Sequence, residues 1–369
     1  MILAKYRKYL EFTALLLLAV GIVWWFGRKL DWKQVKAAVT QSDWRLIALA
    51  AIVIGIAYFW RAVRWQALLA PLTPAKLSQI WIATTVGFGA VLLIGRAGEV
   101  VRPVVLPMRD RRVRPAASFV TIMVERLYDS ITVVFIFALN LLWFRPSGMS
   151  ASDLSHMREV GLAFLIVLGS AVLALVFFRR RSRTVIAWLE RKFDVWPRVP
   201  GRLKRAVLST LDQLAGALTV LSSARALSTT VGWSLIMWFS VAAANLLVFR
   251  AFGLQFGVTH ALFVLGWSMV GSAIPTPGGA AGAFHAVTAA ALVLLGVVRE
   301  QAAAVAIVLH LVDFGPAALF GFFYFLRGDV NYARLRALIS AEAVEHAVED
   351  EQIIPAGAGH KPGIIPASD

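Results

Sequence analysis

The sequence contains no cysteine and few charged residues. Its 369 residues include no cysteine, and charged residues make up 16% of the chain. The absence of cysteine excludes disulfide bonds, thiol nucleophiles, iron–sulfur clusters and thiolate metal sites. Soluble domains carry about 25% charged residues, so this composition argues against a soluble enzyme. The sequence also lacks a P-loop, a GxGxxG motif, an HExxH motif and a nucleophile elbow.

Long apolar runs dominate the composition instead. Hydrophobic residues make up 59% of the chain, with clear runs at Phe12–Phe26, Ala48–Trp60 and Gly161–Phe178. About 20 consecutive apolar residues span the hydrocarbon core of a bilayer. The first run ends in aromatic residues and not in a small-residue cleavage site, so we expect a retained helix. The sequence therefore predicts an all-α polytopic membrane protein.

Two apolar stretches are too interrupted to cross the membrane as single helices. Residues 80–106 contain GRAGEVVRPVVL, and residues 260–297 are split by IPTPGGAAG. Non-helical backbone at membrane depth persists only where protein or a wet cavity surrounds it. We therefore predict two re-entrant helical hairpins and about six spanning helices. The predicted spans are roughly 9–26, 44–60, 117–143, 160–178, 229–249 and 301–326.

The predicted elements indicate an internal repeat. The helices and the hairpin of one half recur about 180–185 residues later in the other. Each half, about 9–143 and 160–326, has an odd number of spans, so the two halves should be inverted relative to each other. Inverted repeats with broken helices that meet near the membrane midplane are a transporter architecture.

Basic residues predict the orientation. The net charge is +16, and residues 179–225 carry eleven Lys or Arg against three acids. Residues 96–114 carry six arginines. The positive-inside rule places both segments in the cytoplasm, and both termini with them. Residues 27–43, with four Lys or Arg, disagree with this assignment because they would lie outside. Residues 179–225 are predicted to form an amphipathic helix on the inner leaflet, whose basic face either is simply solvated or attracts anionic lipid.

Residues 328–369 have a different composition from the rest of the chain. They are acidic in the middle and then rich in proline and glycine. Such a composition is typical of disorder, so we predict a short, largely disordered cytoplasmic tail. The preceding residues, 1–327, would then form one transmembrane domain.

The first hairpin carries a candidate anion site. Arg96, Glu99 and Arg102 would share one helical face, and Gly95 and Gly98 would allow close backbone approach. Arginine forks match phosphate oxygens, which favours a phosphate clamp. The alternative is a set of ordinary arginines at a cytoplasmic helix end, held by one glutamate.

The motif VERLYDS places three charges inside an apolar helix. Glu125, Arg126 and Asp129 would lie about 15 Å deep at 1.5 Å per residue. Ionisable groups at that depth normally face a partner or a cavity. Glu125 is predicted to meet an arginine of the first hairpin. A buried structural ion network and a direct role in substrate binding remain equally open.

The second hairpin turn and the last helix hold further candidates. The turn can be interpreted as a simple sharp turn or as a helix start that receives an anion. Its residues are Pro275, Pro277, Gly278, Gly279, Gly282 and His285. On the last helix, His310 and Asp313 are spaced i, i+3, either as a proton-coupling pair or as mutual partners. A metal site is not expected at these residues, and no cofactor is expected anywhere.

Two arginines near the end of the second predicted span have a simpler interpretation. Arg61 and Arg64 are flanked by Trp60 and Trp65. Arginine and tryptophan together are typical of the membrane interface, so we expect these residues to be anchors at the inner surface.

Three motifs in order resemble those of one known family. GRAGEVVRPVVL, VERLYDS and PTPGGAAGAFH resemble the lysylphosphatidylglycerol synthase transmembrane-domain family, also called flippase-like membrane proteins. The resemblance covers roughly residues 9–326. It implies a polytopic protein of the bacterial or archaeal cell membrane that moves lipids or lipid-linked headgroups between leaflets. His285 departs from the glutamate of many relatives. The full synthases continue into a soluble aminoacyl-transfer domain, whereas this sequence ends in a short tail.

The resemblance also transfers residue roles onto matching positions. The first motif gives Gly95, Arg96, Gly98, Glu99 and Arg102, the second gives Glu125, Arg126 and Asp129, and the third gives Pro277, Gly278 and Gly279. We expect the charged members to bind a lipid headgroup. The expected partners are anionic phospholipids or lipid-linked headgroups, with an envelope-synthesis protein as a further candidate, and no nucleic acid.

Three functions remain open at this stage. The leading one is a flippase-like transporter and not an enzyme. The second is an intramembrane transferase that acts on lipid carriers, with Glu125 or Asp129 as base. The third is an accessory subunit of a cell-envelope lipid or glycan synthase.

Overall fold

The structure, a computed structural model, is helical throughout the part of the chain that it describes. That part comprises residues 30–146, 148–195, 201–218, 224–274 and 280–328, together with Gly21, Trp24, Gly27 and Arg28. It contains eleven α-helices and no β-strand. They are α1 (Trp32–Gln41), α2 (Trp44–Leu69), α3 (Leu77–Ile94), α4 (Val101–Arg109), α5 (Pro115–Trp143), α6 (Ala151–Val195), α7 (Gly201–Ala217), α8 (Ala224–Ala251), α9 (Val258–Ala273), α10 (Ala281–Leu294) and α11 (Arg299–Leu326).

Four of the described helices are long and apolar enough to cross a membrane. They are α2, α8, α11 and the segment Ala151–Phe193 of α6. Helix α5 is also long enough, at 29 residues, but it carries three charged residues in its apolar sequence. The multi-pass membrane fold is therefore confirmed. The first predicted span, 9–26, lies almost entirely outside the described residues.

Both interrupted stretches fold back on themselves as helix pairs. Helix α3 is followed by a 3₁₀ turn at Gly95–Val100, and α4 then packs against α3. Gly98 lies directly against the backbone of Ala90 and Val91. In the second stretch α9 packs against α10, and Gly271 lies against the backbone of Ala283 and Phe284. The hairpins predicted from the Gly/Pro interruptions are confirmed.

The two hairpins open toward opposite faces of the molecule. The ends of the first are joined by a 2.6 Å hydrogen bond from Arg109 Nε to Gln79 Oε1. We call this side, where the arginines after α4 also lie, the basic face. At the ends of the second hairpin, the backbone N–H of Gly148 donates to the carbonyl of Leu294, and the side chain of Asn140 to the carbonyl of Thr259. This second side is the opposite face.

Each helix of the first half packs in the same way as the equivalent helix of the second half. Helices α2 and α8 form the central pair, and their antiparallel course is fixed by a 2.9 Å bond from Asp43 N to the carbonyl of Ala251. Helix α3 packs on α11 as α9 packs on α5, and α4 packs on α5 as α10 packs on α11. The short helices follow the same rule, because α1 packs on α11 and α7 on α5. This is the packing expected of the inverted repeat.

The basic segment 179–225 is largely helical, as predicted, but its first part is not a separate helix. Its first part continues α6, which is 45 residues long and would extend about 67 Å at 1.5 Å per residue. A bilayer is about 40–45 Å thick including its headgroups, so the basic end of α6 projects beyond it. Most of the remainder forms α7 and the start of α8.

Residues 27–43 were expected to be a loop, but they include α1. The side chain of Asp31 caps this helix by accepting a hydrogen bond from Lys33 N. The tail beyond residue 328 lies outside the described residues.

Candidate functional site

Two buried carboxylates on α5 form the centre of the candidate site. Glu125 and Asp129 are spaced i, i+4, so they lie on the same face of the helix. Glu125 is 0% exposed and Asp129 is 2% exposed. Two carboxylates so close would repel each other without cations between them. Four arginine side chains surround the pair and provide those cations.

Arg102 comes from the first hairpin and binds Glu125 with both ends of its fork. Its Nη1 donates to Glu125 Oε1 at 2.7 Å, and its Nη2 donates to Oε2 at 2.9 Å. The predicted contact between Glu125 and an arginine of this hairpin is confirmed. Arg126 contacts both acids, at 3.1 Å to Glu125 Oε1 and 3.3 Å to Asp129 Oδ2.

Arg61 and Arg64 come from α2, and here the expectation of interface anchors is wrong. Arg64 is 0% exposed; its Nη1 donates to Asp129 Oδ1 at 2.7 Å and to Ser234 Oγ of α8 at 2.9 Å. Arg61 lies 3.4 Å from Asp129 Oδ2. The prediction failed because it ended the helix near residue 60. Helix α2 continues to Leu69, which places both arginines inside the protein.

Aromatic rings cover the faces of these guanidinium groups. Phe88 of α3 lies beneath three of them, 4.6 Å from Arg61, 5.5 Å from Arg102 and 5.6 Å from Arg126. Trp65 lies 4.2 Å from Arg102 on another side. Cation–π contacts stabilise arginine where water is excluded. We call Arg61, Arg64, Arg102, Glu125, Arg126 and Asp129 the central ion cluster.

The central ion cluster has more positive than negative charge. It contains four guanidinium groups and two carboxylates, and each arginine lies within ion-pair distance of at least one of the two acids. With both acids ionised, the six side chains carry a net charge of about +2. An uncompensated buried charge is costly, so an anion placed beside the cluster would be stabilised.

A cavity of about 140 Å³ lies beside the cluster, where the two hairpins meet. Glu99 from the turn of the first hairpin and Ser272 and Ala280, which flank the turn of the second, share its wall. Arg61 and Arg126 are the members of the central ion cluster that line it. Its other lining residues come from α2, α3, α8, α9, α10 and α11, and they are Ile54, Ala57, Tyr58, Phe88, Val91, Trp238, Val241, Leu265, Ser268, Met269, Phe284, Asp313 and Phe314.

The structure divides the predicted headgroup-binding residues into two groups. Glu99 and Arg126 line the central cavity. Glu125 and Asp129 lie behind them and hold the arginines, and Arg102 reaches a smaller adjoining pocket of about 10 Å³. The side chain of Arg96 lies outside the described part of the structure. Gly95 and Gly98 are in the turn of the first hairpin, as predicted.

The second hairpin turn is described only at its two ends. Helix α9 ends at Ala273 and α10 begins at Ala281, as the Pro/Gly motif predicted, with Gly282 buried in its first turn. Ala280 has a positive φ of 60° before α10 begins. Pro275, Pro277, Gly278 and Gly279 lie outside the described residues.

Two histidines and one aspartate come from α10 and α11 of the second half. The rings of His285 and His310 are 4.9 Å apart in an edge-to-face arrangement. Asp313 lines the cavity, and its backbone carbonyl accepts a 2.8 Å hydrogen bond from Tyr58 Oη. Within the described residues, His, Asp and Glu side chains do not gather in threes as metal ligands would.

The comparisons with known proteins agree with the motifs. A family model described as "Lysylphosphatidylglycerol synthase TM region" matches residues 12–321. The match covers more than half of the chain and includes both hairpins and the central ion cluster. A search of curated proteins found no match.

Proposed function

The chain belongs to the family of lysylphosphatidylglycerol synthase transmembrane regions, and from this premise we propose that it is a lipid flippase-like transporter. Its substrate is an anionic phospholipid or a lipid-linked headgroup, which it moves between the leaflets of the cell membrane. Both termini and the basic face lie in the cytoplasm in this proposal, because the basic segments lie on that side.

The observation that carries the proposal is the position of the cavity. It lies at the meeting point of two hairpins that open toward opposite faces, and Arg61 and Arg126 project into it. An anion there receives two guanidinium forks from a cluster that has more arginines than acids. An engineered cavity of about 150 Å³ holds a benzene-sized molecule, so this cavity suits a phosphate group with a small substituent. The acyl chains must remain in the lipid.

The arrangement supports alternating access across the membrane. The first hairpin enters from the basic face and the second from the opposite face, and residues of both line the cavity. Movement of either hairpin relative to the central pair α2 and α8 would connect the cavity to one side at a time. Inverted repeats with broken helices operate in this manner in transporters.

The contacts of the two acids favour transport over transferase chemistry. Glu125 contacts four arginines and Asp129 contacts three. A carboxylate surrounded by guanidinium groups is a poor general base, because accepting a proton would break its ion pairs. We therefore propose no catalytic residue for this chain.

The test uses the two arginines that line the cavity. The purified protein is reconstituted in vesicles of phosphatidylethanolamine with fluorescent phosphatidylglycerol, and lipid movement is followed by chemical quenching of the outer leaflet. Hydrogen bonds to charged groups are worth about 1.5–3 kcal/mol, so Arg61→Gln and Arg126→Gln should each slow the movement about 10- to 100-fold. The matched control is Arg112→Gln on the basic face, whose side chain is 54% exposed.

The lipid probe distinguishes this proposal from unspecific leakage. Fluorescent phosphatidylcholine, which has no net charge, should move much more slowly than phosphatidylglycerol in the wild type. Equal rates for the two lipids, or wild-type rates in both cavity variants, would contradict an anionic headgroup site at Arg61 and Arg126.

A further inference from the structure

The repeat places two aspartates at equivalent positions of its two halves. Helices α5 and α11 occupy equivalent places in the packing, and Asp129 and Asp313 are 184 residues apart, which is the offset between these helices. Arg126 and His310 are separated by the same offset. One turn before each aspartate, therefore, the first half has an arginine where the second half has a histidine.

The surroundings of these two aspartates differ. Asp129 is held by ion pairs to Arg61, Arg64 and Arg126. The carboxylate of Asp313 has no ion pair within the described residues, and its buried Oδ1 has no hydrogen-bond partner there. Burying an ionised carboxylate without a partner is costly, and a proton removes the charge. Asp129 is thus held as an anion by its ion pairs, whereas the equivalent Asp313 can bind and release a proton without breaking an ion pair within the described residues.

The charged groups that share the cavity with Asp313 form no ion pair with its carboxylate within the described residues. Helix α8 contributes only uncharged Trp238 and Val241 to this wall of the cavity, and α3 contributes Phe88 and Val91. Arg61 acts electrostatically on the carboxyl group of Asp313. The titratable and charged groups that line the same cavity as Asp313 are Tyr58 and Arg61 of α2, Glu99 of the first hairpin and Arg126 of α5. His310 lies three residues before Asp313 on its own helix, and its ring contacts that of His285 of α10.

We propose that Asp313 is a proton-binding site coupled to headgroup binding in the same cavity. This inference rests on the proposed function, which it extends by naming the coupling ion. An ionised Asp313 and a bound phosphate would both be attracted to the guanidinium group of Arg61, and the two anions would repel each other. Headgroup binding therefore favours protonation of Asp313, and protonation favours headgroup binding by the same factor. One proton then accompanies each anionic headgroup across the membrane.

The proton site is tested first without any transport. Infrared difference spectra of the purified wild-type protein between acid and alkaline pH should show the carbonyl band of a buried, protonated carboxylic acid. Asp313→Asn should lose that band, and the exposed control Asp153→Asn should keep it. The substitution Asp313→Asn is nearly isosteric and breaks no ion pair within the described residues. A wild type without the band, or a band that survives Asp313→Asn, would overturn the proposal.

The coupling is tested in the vesicles with fluorescent phosphatidylglycerol. Wild-type movement should be about 5- to 150-fold faster at acid than at alkaline pH, the range of a typical coupling free energy. Asp313→Asn imitates the protonated form, so its rate should be independent of pH and of an imposed pH difference. Replacing sodium by choline in the buffer should not change the rate of lipid movement of the wild type or of Asp313→Asn. A pH dependence that persists in Asp313→Asn, or a requirement for sodium, would overturn the coupling.

The two experiments separate this inference from the proposed function. If the infrared band belongs to Asp313 but phosphatidylglycerol does not move in the wild type, the proton site stands and the transport function fails. If phosphatidylglycerol moves at the same rate in the wild type and in Asp313→Asn at every pH, the proposed transport function is supported and the coupling at Asp313 is contradicted.

Discussion

The arginines at the centre of the protein differ in what surrounds them. Arg64 and Arg102 are buried behind the cavity wall, at 0% and 3% exposure, and their forks are used by Glu125, Asp129 and Ser234. Arg126 has a side chain that is 29% exposed and faces the cavity. We therefore assign the first two to holding the cluster together and the last to contact with the substrate.

Removal of Arg102 should test this division through stability. Removing one partner of a buried ion pair costs about 3–5 kcal/mol, because the other charge stays buried. Arg102→Met should lower the free energy of unfolding by about 3 kcal/mol, the lower end of this range, because Arg64 and Arg126 still contact Glu125. Arg102→Lys should recover part of the loss, because lysine keeps the charge and cannot make the two-pronged contact. The measurement is the melting temperature of the protein in detergent.

The ion pair between Arg112 and Asp110 provides the comparison, because the side chain of Arg112 is 54% exposed, although that of Asp110 is 8% exposed. Solvent screens an ion pair at an exposed arginine, so Arg112→Met should lower the melting temperature much less than Arg102→Met. The assignment of Arg102 to the framework would be wrong if its loss abolished lipid movement and left the melting temperature at the wild-type value.

At this scale the sequence predicted part of the site. The depth of Glu125 in an apolar helix predicted an arginine partner, and Arg102 is that partner. Arg61 and Arg64 were assigned to the interface because the hydrophobic run ends at Trp60. Apolar periodicity marks where side chains meet lipid. It does not mark where a helix continues through the interior of the protein, where arginine pairs with acids from other helices.

At the level of the elements, close backbone contact holds the first hairpin together. A Cβ atom at Gly98 would overlap the backbone nitrogen of Val91 and would lie 2.5 Å from the carbonyl carbon of Ala90. Both atoms belong to the backbone of α3, so they cannot move as a side chain would. The turn of the hairpin therefore requires glycine at this position.

Gly98→Ala should destabilise the protein, whereas Gly232→Ala should not. Overpacking of this kind typically costs about 1–3 kcal/mol, and it should displace Glu99 from the cavity wall. Gly232 lies in α8 with nothing within 4 Å of its added Cβ, and alanine favours a helix there. Melting temperature and lipid movement are the readouts. Equal values for the two variants would show that the hairpin does not depend on this contact.

The sequence predicted the existence of the hairpins better than the length of the helices. Glycine and proline at the interruptions indicated where each apolar stretch turns back, and the helix ends at Ala273 and Ala281 agree. The 45-residue length of α6 was not predicted, because hydropathy identifies only the segment inside the hydrocarbon. Beyond it, arginine, alanine, leucine and glutamate are good helix formers, and the helix continues to Val195.

At the scale of the whole molecule, the absence of cysteine allows a direct test of the inverted repeat. Ser78 and Thr259 are exposed residues at the mouths of the first and second hairpins. Two vesicle preparations are compared, one that exposes the cytoplasmic side of the protein and one that exposes the other side. A membrane-impermeant maleimide should label Ser78→Cys only in the first preparation. It should label Thr259→Cys only in the second. The unmodified protein has no cysteine and supplies the blank.

Labelling of both positions from one side would contradict the inverted arrangement. It would also remove the basis for alternating access, which needs the hairpins to open on different sides of the bilayer. Labelling on opposite sides, with Ser78→Cys outside, would keep the repeat and reverse the proposed orientation.

The exchange symmetry of the packing also implies how such a chain arose. Helices α2 and α8 are equivalent helices of the two halves and pack against each other, as equivalent elements do across the axis of a two-fold dimer. A shorter ancestral chain equal to one half would make this contact with a second copy inserted upside down. Such an ancestor had to enter the membrane both ways, so it could not carry a strong bias of arginine to one side. In a chain of that origin, the arginines of the basic face and the histidines at 285 and 310 would have to arise after fusion, when the two halves no longer had to be identical.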